Sequence, residues 1–166
     1  MKIVQASKLE GKENTFSSSE IRRLITNGAV SEAEKLLNYP YSIKGRVVGG
    51  HQVGRRIGYP TANIAVENPM KLIPDKGIYA VKTYLPDGKS YGGMLYIGKR
   101  PTLENGTDTS IEVNIFDFEG DLYDSDITIE FVSFIRGDEK FASLDDLKSR
   151  LAKDEEEARS ILNIRQ

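Results

Sequence analysis

A glycine-rich segment, residues 45–58, contains residue types that could bind a phosphate. Its five glycines stand at positions 45, 49, 50, 54 and 58, together with Arg46, Arg55 and Arg56. Glycine lets the backbone approach a phosphate and turn N–H groups towards it, and arginine adds positive charge. The spacing matches neither a Walker motif nor a dinucleotide fingerprint. The segment is therefore either a phosphate-binding flap or a structural turn.

Thr61 and Asn63 follow this segment and could bind a metal ion. Because they are two residues apart, they project from the same face of an extended chain. A hydroxyl oxygen and an amide oxygen suit a hard cation such as Mg²⁺ that shares the oxygens of a nucleotide. The same two side chains could instead form local hydrogen bonds to the backbone at the start of a strand. Spacing alone leaves both interpretations open.

Glu112 is the candidate acid or base. In the segment 110–115, Ile111, Val113 and Ile115 share one face of a strand, and Glu112 and Asn114 share the other. If the polar face lines a cleft, Glu112 can accept a proton from a substrate hydroxyl. If that face meets water, Glu112 is an ordinary exposed residue.

The amino-acid composition excludes several kinds of catalytic group and binding partner. The chain has no cysteine and one histidine, His51 in the glycine-rich segment, which excludes thiol nucleophiles and multi-histidine metal sites. Its 23 Lys and Arg against 25 Asp and Glu give a net charge of −2, so no global basic surface is expected. No apolar stretch is typical of a membrane span or a secretory leader. We expect a cytoplasmic protein that binds neither nucleic acid nor membrane.

The middle of the chain is predicted to form strands. Short β-branched and aromatic runs alternate with Gly, Pro, Asn and Asp. Turn residues at 86–89 and 119–121 favour antiparallel hairpins, and a closed or nearly closed barrel would leave no exposed edge. The six predicted strands are 43–48, 61–66, 78–85, 91–97, 110–118 and 127–134.

Both ends of the chain are predicted to be helical. Ser17 and Glu20 have the spacing of a capping box for a helix that Gly28 would end, and a second short helix should begin near Ser31. A long C-terminal helix should begin after Ser143 as N-cap. We interpret its acidic run, residues 154–157, as a solvated face. Residues 39–43 are the expected junction between the helical start and the strands.

Several segments, in this order, closely resemble the riboflavin kinase domain. This domain occurs alone in eukaryotes and as the C-terminal half of bacterial bifunctional riboflavin kinase/FAD synthetases. The resemblance covers roughly residues 43–162, and the Pro-Thr-Ala-Asn block at 60–63 with the later Glu112 strand is its most specific part. The matching segments are 45–50, 54–63, 74–80, 97–102, 111–118, 122–123 and 136–147.

The resemblance implies a fold and an activity. The family fold is a six-stranded antiparallel Greek-key barrel with a C-terminal α-helix. The implied activity is that of an ATP:riboflavin 5′-phosphotransferase, which makes FMN and ADP from riboflavin and Mg²⁺-ATP.

The resemblance also implies roles for individual residues. Thr61 and Asn63 would serve the Mg²⁺–nucleotide site, and Glu112 would be the catalytic carboxylate. Riboflavin would meet a mobile loop at residues 136–141. The remaining implied site residues are the phosphate-covering Gly50, Gly54, Arg55 and Gly58, the adenine-packing Tyr123, and the riboflavin-binding Arg136 and Phe141.

This sequence departs from the family pattern at two positions. Asn114 stands where many members have histidine, and Asp124 stands where glycine follows the Leu-Tyr pair. Neither position is a proposed base or metal ligand. These departures therefore bear on the nucleotide pocket rather than on the reaction.

Residues 15–22 resemble the last motif of the adenylyltransferase half of the bifunctional enzymes. The nucleotidyl-transfer motif of that half is absent upstream. We therefore expect residues 1–42 to be a helical remnant of an FMN adenylyltransferase domain, with Ser17 to Ser19 as helix caps, and residues 43–166 to be a riboflavin kinase domain. No FAD synthesis is expected, and the adenylyltransferase domain is the expected partner in the full-length enzyme.

Two other classes of function compete with the kinase interpretation. A non-catalytic flavin-binding barrel would bind FMN without consuming ATP. An OB-like single-stranded nucleic-acid-binding module would need basic and aromatic residues interleaved on one sheet face, whereas the 8 Tyr and 6 Phe are scattered. A kinase instead forms ADP only when riboflavin is present.

Overall fold

The computed structural model describes residues 11–49, 55, 57–101 and 107–164. Six strands and three helices are present in this part of the chain. Each of the six predicted strands is found, with ends that differ by a few residues. The helices are α1 (Gly11–Thr26), α2 (Val30–Leu37) and α3 (Leu144–Leu162), and the strands are β1 (Ser42–Val48), β2 (Ala62–Val66), β3 (Gly77–Tyr84), β4 (Ser90–Pro101), β5 (Thr107–Ile115) and β6 (Asp126–Arg136).

The six strands close into an antiparallel barrel in the order β1-β2-β5-β4-β3-β6. Strands β3, β4 and β5 pair consecutively, and β6 returns to lie beside β3, which is the Greek-key connection. The expected fold class is therefore confirmed. Closure pairs every strand on both sides and leaves no free edge.

Strand β3 is buried on both sides. Tyr79 and Val81 point into the barrel, where they pack with Phe131 and Leu95. On the outer side of β3, Ile78 and Ala80 belong to a second apolar cluster, which lies between the barrel and α3. That cluster consists of Ile78, Ala80, Met94, Phe116 and Ala158. Burial on both faces accounts for the nearly continuous apolar sequence of β3.

The short pairing between β2 and β5 places the polar residues of interest on the outer wall. Its register aligns Ala62 with Val113 and Asn63 with Glu112. Ala62 and Val113 pack on the barrel core, so Asn63 and Glu112, one residue along each strand, face the other way. A shift of one residue in this register would bury Glu112 in the core.

The N-terminal helices pack on the same core as the barrel. Ile25, Val30 and Ala33 are buried and belong to the apolar cluster of the barrel interior. The division of the chain at residue 42 into a remnant and a kinase domain stays a prediction. Among the residues described, no helix is both long enough and apolar enough to cross a bilayer.

The predicted caps at Ser17 to Ser19 are wrong. Helix α1 begins at Gly11, so Ser17 to Ser19 lie inside it. Residues 12–27 contain neither glycine nor proline, and nothing in the sequence stops the helix from extending towards the N-terminus. Gly28 follows its end with φ +83°, as predicted. Helix α2 begins at Val30, which confirms the predicted start near Ser31, and no side chain caps it.

Helix α3 confirms one prediction and corrects another. The Ser143 hydroxyl accepts a hydrogen bond from the Asp146 amide at 3.1 Å, so Ser143 is the N-cap. Within the acidic run, Glu156 and Glu157 are exposed, but Asp154 is only 1% exposed. The expectation that the whole run is solvated is therefore wrong. Asp154 continues the spacing of Leu147 and Leu151, which places it on the helix face that packs on the barrel.

Gly45 occupies a position in β1 that has no room for a side chain. It pairs with Val66 of β2 and Ile127 of β6, and an added Cβ would lie 2.7 Å from the Ala65 carbonyl oxygen and would also meet the Ile64 side chain. We expect Gly45→Ala to lower the free energy of unfolding by about 1–3 kcal/mol because the barrel wall is overpacked. Urea unfolding measures this change.

Gly49→Ala is the matched control for this substitution. An added Cβ at Gly49 meets nothing within 4 Å, so its free energy of unfolding should stay close to that of the wild type. Equal stability of the two variants would contradict the proposed close packing at Gly45.

Candidate active site

Two neighbouring cavities share Thr61 as a common wall residue. The first, here called the helix-side cavity, has a volume of about 300 Å³ and lies between the barrel wall and α3. Its apolar lining consists of Ile57, Ile78, Met94, Leu147 and Leu151, and its other lining residues are Tyr59, Thr61, Tyr96, Glu112, Asn114, Arg136, Asp138, Glu139 and Phe141.

The second cavity, here called the turn-side cavity, has a volume of about 200 Å³. It lies between strands β1, β2 and β5 and the turn that follows β5. Arg55, Thr61 and Asn63 line it, and so does Tyr123, which is 66% exposed. The structure therefore brings together four residues that the sequence analysis assigned to one nucleotide site.

Glu112 lies in a cleft rather than in open water. Its Oε1 accepts a hydrogen bond from the Thr61 hydroxyl at 3.2 Å, and its Oε2 accepts one from the Ser110 hydroxyl at 3.2 Å. Each carboxylate oxygen retains a further lone pair that can accept another proton donor. Two fixed hydroxyls thus orient the carboxylate at the wall between the two cavities.

The sequence analysis missed Ser110 as part of this site. Ser110 is 7% exposed and lies two residues before Glu112 on the same face of β5. The period of two residues was the available signal. This alternation places Ser110 on the Glu112 face, but it identifies Ser110 as a site residue only when that face is known to line a cleft.

Asn114 holds the segment that carries Thr61. Its side-chain amide donates a hydrogen bond to the Pro60 carbonyl oxygen at 2.7 Å. Glu112 contacts the side chain of Thr61, and Asn114 contacts the backbone of Pro60; these two consecutive residues lie just before β2. Together these contacts fix the Thr61 hydroxyl against β5.

The glycine-rich segment is described only in part. Gly50, His51, Gly54 and Arg56 lie outside the described residues. Gly58 has φ +90°, in the left-handed region that glycine tolerates, and it lies between two residues that line the helix-side cavity.

Arg46, one of the arginines considered for phosphate binding, forms ion pairs instead. Its guanidinium lies 3.1 Å from Asp124 and 3.2 Å from Asp126, on the exposed surface of the barrel. Asp124, the residue that departs from the family glycine, has φ +69°. A glycine would adopt this backbone conformation without steric strain, which gives a physical reason for the family preference.

Arg136 and Phe141 lie on the same wall of the helix-side cavity. The guanidinium carbon of Arg136 lies 5.6 Å from the centre of the Phe141 ring. Asp154 holds this guanidinium through a buried ion pair, with Nη2 2.8 Å from Oδ2. Asp154 is thus a second site-associated residue that the sequence analysis did not identify.

Tyr96 lines the helix-side cavity beside Glu112. The two residues are direct partners in the β4–β5 register, and the Tyr96 hydroxyl donates to the carboxylate of Asp138 at 3.3 Å. Burial, together with the negative charges of Asp138 and Glu112, raises the pKa of Tyr96 to about 12. Tyr96 therefore stays a neutral hydrogen-bond donor at physiological pH.

The oxygen donors of the turn-side cavity suit a hard cation. Thr61 supplies a hydroxyl oxygen and Asn63 an amide oxygen, both neutral. Within the described ranges there is no cluster of three or more His, Cys, Asp or Glu that could hold a metal ion.

The arrangement of a closed barrel, two adjoining cavities and a carboxylate hydrogen-bonded to their shared residue is suited to a phosphotransferase that acts on two small molecules. A sequence model of the Flavokinase family, described as riboflavin kinase, matches residues 37–162. The chain belongs to this family.

Curated relatives support this assignment. The chain is 44% identical over 148 residues to the bifunctional riboflavin kinase/FMN adenylyltransferase of Haemophilus influenzae. The matched region covers 89% of this chain and 47% of that protein. The protein of the same name from Bacillus subtilis is 41% identical, over 91% of this chain and 48% of its own length. The chain thus spans about half the length of the curated relatives it matches.

Two solved structures resemble this one. The crystal structure described as a macrolide-efflux protein from Streptococcus pneumoniae matches with a TM-score of 0.80 and 39% identity, over 86% of this chain and 46% of that one. The riboflavin kinase of Trypanosoma brucei matches with a TM-score of 0.51 and 24% identity, over 75% of this chain and 80% of that one. The second likeness shows the fold alone.

The Asn114 hydrogen bond can be tested by its effect on the Thr61 segment. We expect Asn114→Ala to speed backbone amide exchange in residues 57–61 about fivefold, because one hydrogen bond worth about 1 kcal/mol is lost. Hydrogen exchange followed by mass spectrometry measures this change. Exchange in β3 should stay as in the wild type.

Asn68→Ala serves as the comparison. Asn68 makes a similar side-chain contact, accepting a hydrogen bond from the Met70 amide at 2.9 Å in an exposed turn. Its removal should leave exchange in residues 57–61 unchanged. If the two variants affect that segment equally, Asn114 does not anchor it.

Proposed function

We propose that this chain transfers the γ-phosphoryl group of ATP to the 5′-hydroxyl of riboflavin, producing FMN and ADP. The observation that carries the proposal is the position of Glu112. Its carboxylate is hydrogen-bonded to Thr61, which lines both cavities, so one carboxylate lies where two substrates can meet. Family membership and the names of the curated relatives agree with this reaction.

The helix-side cavity suits the flavin. Its walls carry the side chains of Ile78, Met94 and Leu151, which can pack against a large flat ring system. Arg136 and Phe141 lie together on one wall, where they present a guanidinium and an aromatic ring for stacking. The polar end of this cavity contains Glu112, so a flavin in this cavity would direct its ribityl chain towards that carboxylate.

The turn-side cavity suits ATP. Arg55 can contribute a positive charge to the phosphates, and Tyr123, which is largely exposed, can offer its ring to adenine. In this proposal Gly50, Gly54 and Gly58 let the backbone of the flap come close to the phosphates.

The metal of this proposal is Mg²⁺, held by Thr61 and Asn63 together with the phosphate oxygens. Mg²⁺ accepts a few neutral protein oxygens when phosphates supply the negative charge. When bound, it would neutralise charge on the phosphates during transfer.

Glu112 acts as the base in the proposed reaction. It accepts the proton of the riboflavin 5′-hydroxyl, the hydroxyl oxygen forms a bond to the γ-phosphorus, and the bond from that phosphorus to ADP breaks. Thr61 and Ser110 keep the carboxylate in one orientation while it accepts the proton. Phosphoryl transfer relies mainly on positioning and electrostatics, which this rigid wall provides.

FMN, rather than FAD, is the proposed end product. The family match covers residues 37–162 with a riboflavin kinase model, whereas the bifunctional relatives carry an adenylyltransferase activity in addition. An adenylyltransferase domain is the proposed partner of this chain in a longer enzyme.

Glu112→Gln tests the proposed base. Glutamine has the same shape but cannot take up the proton, so we expect kcat to fall by about 10²-fold or more while KM for riboflavin stays close to the wild-type value. Chromatographic separation of riboflavin and FMN measures the rate. A variant that binds riboflavin and keeps near-normal turnover would remove Glu112 from this role.

Glu67→Gln is the control for that measurement. Glu67 is an exposed carboxylate just after β2, and it lines neither cavity. The Glu67→Gln substitution should leave both kcat and the KM for riboflavin unchanged. The comparison separates loss of the base from a general effect of lost negative charge.

A pair of substitutions at Thr61 tests the metal assignment. Thr61→Val keeps the shape but removes the hydroxyl, whereas Thr61→Ser keeps the hydroxyl. We expect the Mg²⁺ concentration for half-maximal rate to rise about tenfold or more in the valine variant, because a lost contact to a charged group costs about 1.5 kcal/mol or more. The serine variant should remain near the wild-type value. Equal Mg²⁺ dependence in both variants would refute the assignment.

A further inference from the structure

Asp154 is the one buried carboxylate in the part of the chain that the structure describes. It projects from the middle of α3 towards the barrel and does not line either cavity. A charged group is buried at a large cost in free energy unless partners compensate it. Its partners therefore indicate why an aspartate stands at this position.

The main partner of Asp154 is Arg136. The Nε of Arg136 donates to Oδ1 at 3.0 Å and to Oδ2 at 3.1 Å, and its Nη2 donates to Oδ2 at 2.8 Å. This is the two-pronged contact that fixes both the position and the plane of a guanidinium. A second arginine, Arg150, lies 3.5 Å from Oδ1, and Glu139, 3.7 Å from Arg150, supplies the second negative charge of this cluster.

Arg136 in turn organises the segment 137–141. Its Nη1 donates to the Gly137 carbonyl oxygen at 3.1 Å and lies 3.5 Å from Glu139. Its guanidinium also faces the ring of Phe141. Arg136, Asp138, Glu139 and Phe141 all line the helix-side cavity, so the position of one guanidinium affects a whole wall of that cavity.

The next residue of α3, Glu155, lies close to Tyr59, another lining residue of the helix-side cavity. It accepts a hydrogen bond from Arg159 at 2.8 Å, and its charge, together with burial, raises the pKa of Tyr59, which lines the helix-side cavity.

We propose that Asp154 is a positioning residue for riboflavin. It holds the guanidinium of Arg136, and through it the segment 137–141, in the arrangement that forms one wall of the flavin site. This inference rests on the proposed function, which places riboflavin in the helix-side cavity. Asp154 itself does not contact the substrate.

Asp154→Asn in the full chain tests this role. Asparagine keeps the shape but loses the charge that holds Arg136. We expect the dissociation constant for riboflavin, measured by quenching of flavin fluorescence without ATP, to rise about tenfold. The KM for ATP should stay unchanged, because the turn-side cavity does not include the segment 137–141. Glu157→Gln, an exposed carboxylate of the same helix, should change neither value.

A double variant, compared with Arg136→Met alone, separates an effect of Asp154 through Arg136 from an independent structural role. Arg136→Met with Asp154→Leu replaces the ion pair by apolar side chains, which often preserves the stability that a single substitution loses. We expect its Tm to lie near the wild-type value and its riboflavin affinity to equal that of Arg136→Met alone, because Asp154 acts on the flavin site only through Arg136. This variant also keeps the inference testable if Asp154→Asn does not fold.

Two results would overturn the inference. One is an Asp154→Asn protein with a lowered Tm but wild-type riboflavin affinity, and the other is a double variant that binds riboflavin as tightly as the wild type. Either result, with normal FMN formation by the wild-type chain, leaves the proposed function intact. Failure of the wild-type chain to bind riboflavin would instead refute the proposed function.

Discussion

The hydrogen bond between the Thr61 hydroxyl and the Glu112 carboxylate is the contact on which the rest of the site depends. It crosses the short pairing of β2 with β5, where Asn63 lies directly opposite Glu112. On one side of this contact is an apolar cavity beneath α3, and on the other is a cavity with polar oxygens and an arginine. Glu112 lines the first cavity and its partner Thr61 lines both, so in the proposed reaction the two substrates meet at this contact.

The barrel makes this contact rigid because β5 serves two functions along its length. Ile111 and Val113 pack in the core, while Glu112 and Asn114 on the alternate positions form the wall of the site. Movement of the β5 backbone would disturb these buried residues, and the Thr61 and Ser110 hydroxyls restrain the carboxylate itself. Such a site is preorganised, which is what transfer of a phosphoryl group between two bound molecules requires.

Local features of the fold could be predicted from the sequence, whereas long-range contacts could not. The strands and the Ser143 cap depend on neighbouring residues and were predicted. The face of β5 that lines a cleft depends on closure of the barrel, so the pattern around Glu112 left two interpretations open. The predicted caps at Ser17 to Ser19 failed because a capping pattern does not exclude a longer helix. Asp154 was assigned to solvent because its partner, Arg136, is 18 residues away in the sequence.

The central claim is that one carboxylate serves two substrates that meet at a shared wall, and the products formed by the wild-type chain test it most directly. The protein is incubated with riboflavin, ATP and Mg²⁺, and flavins and nucleotides are separated and quantified. The account predicts equal amounts of FMN and ADP, no FAD, and no ADP when riboflavin is omitted. Riboflavin that is bound but unchanged, or ADP formed without riboflavin, would contradict it.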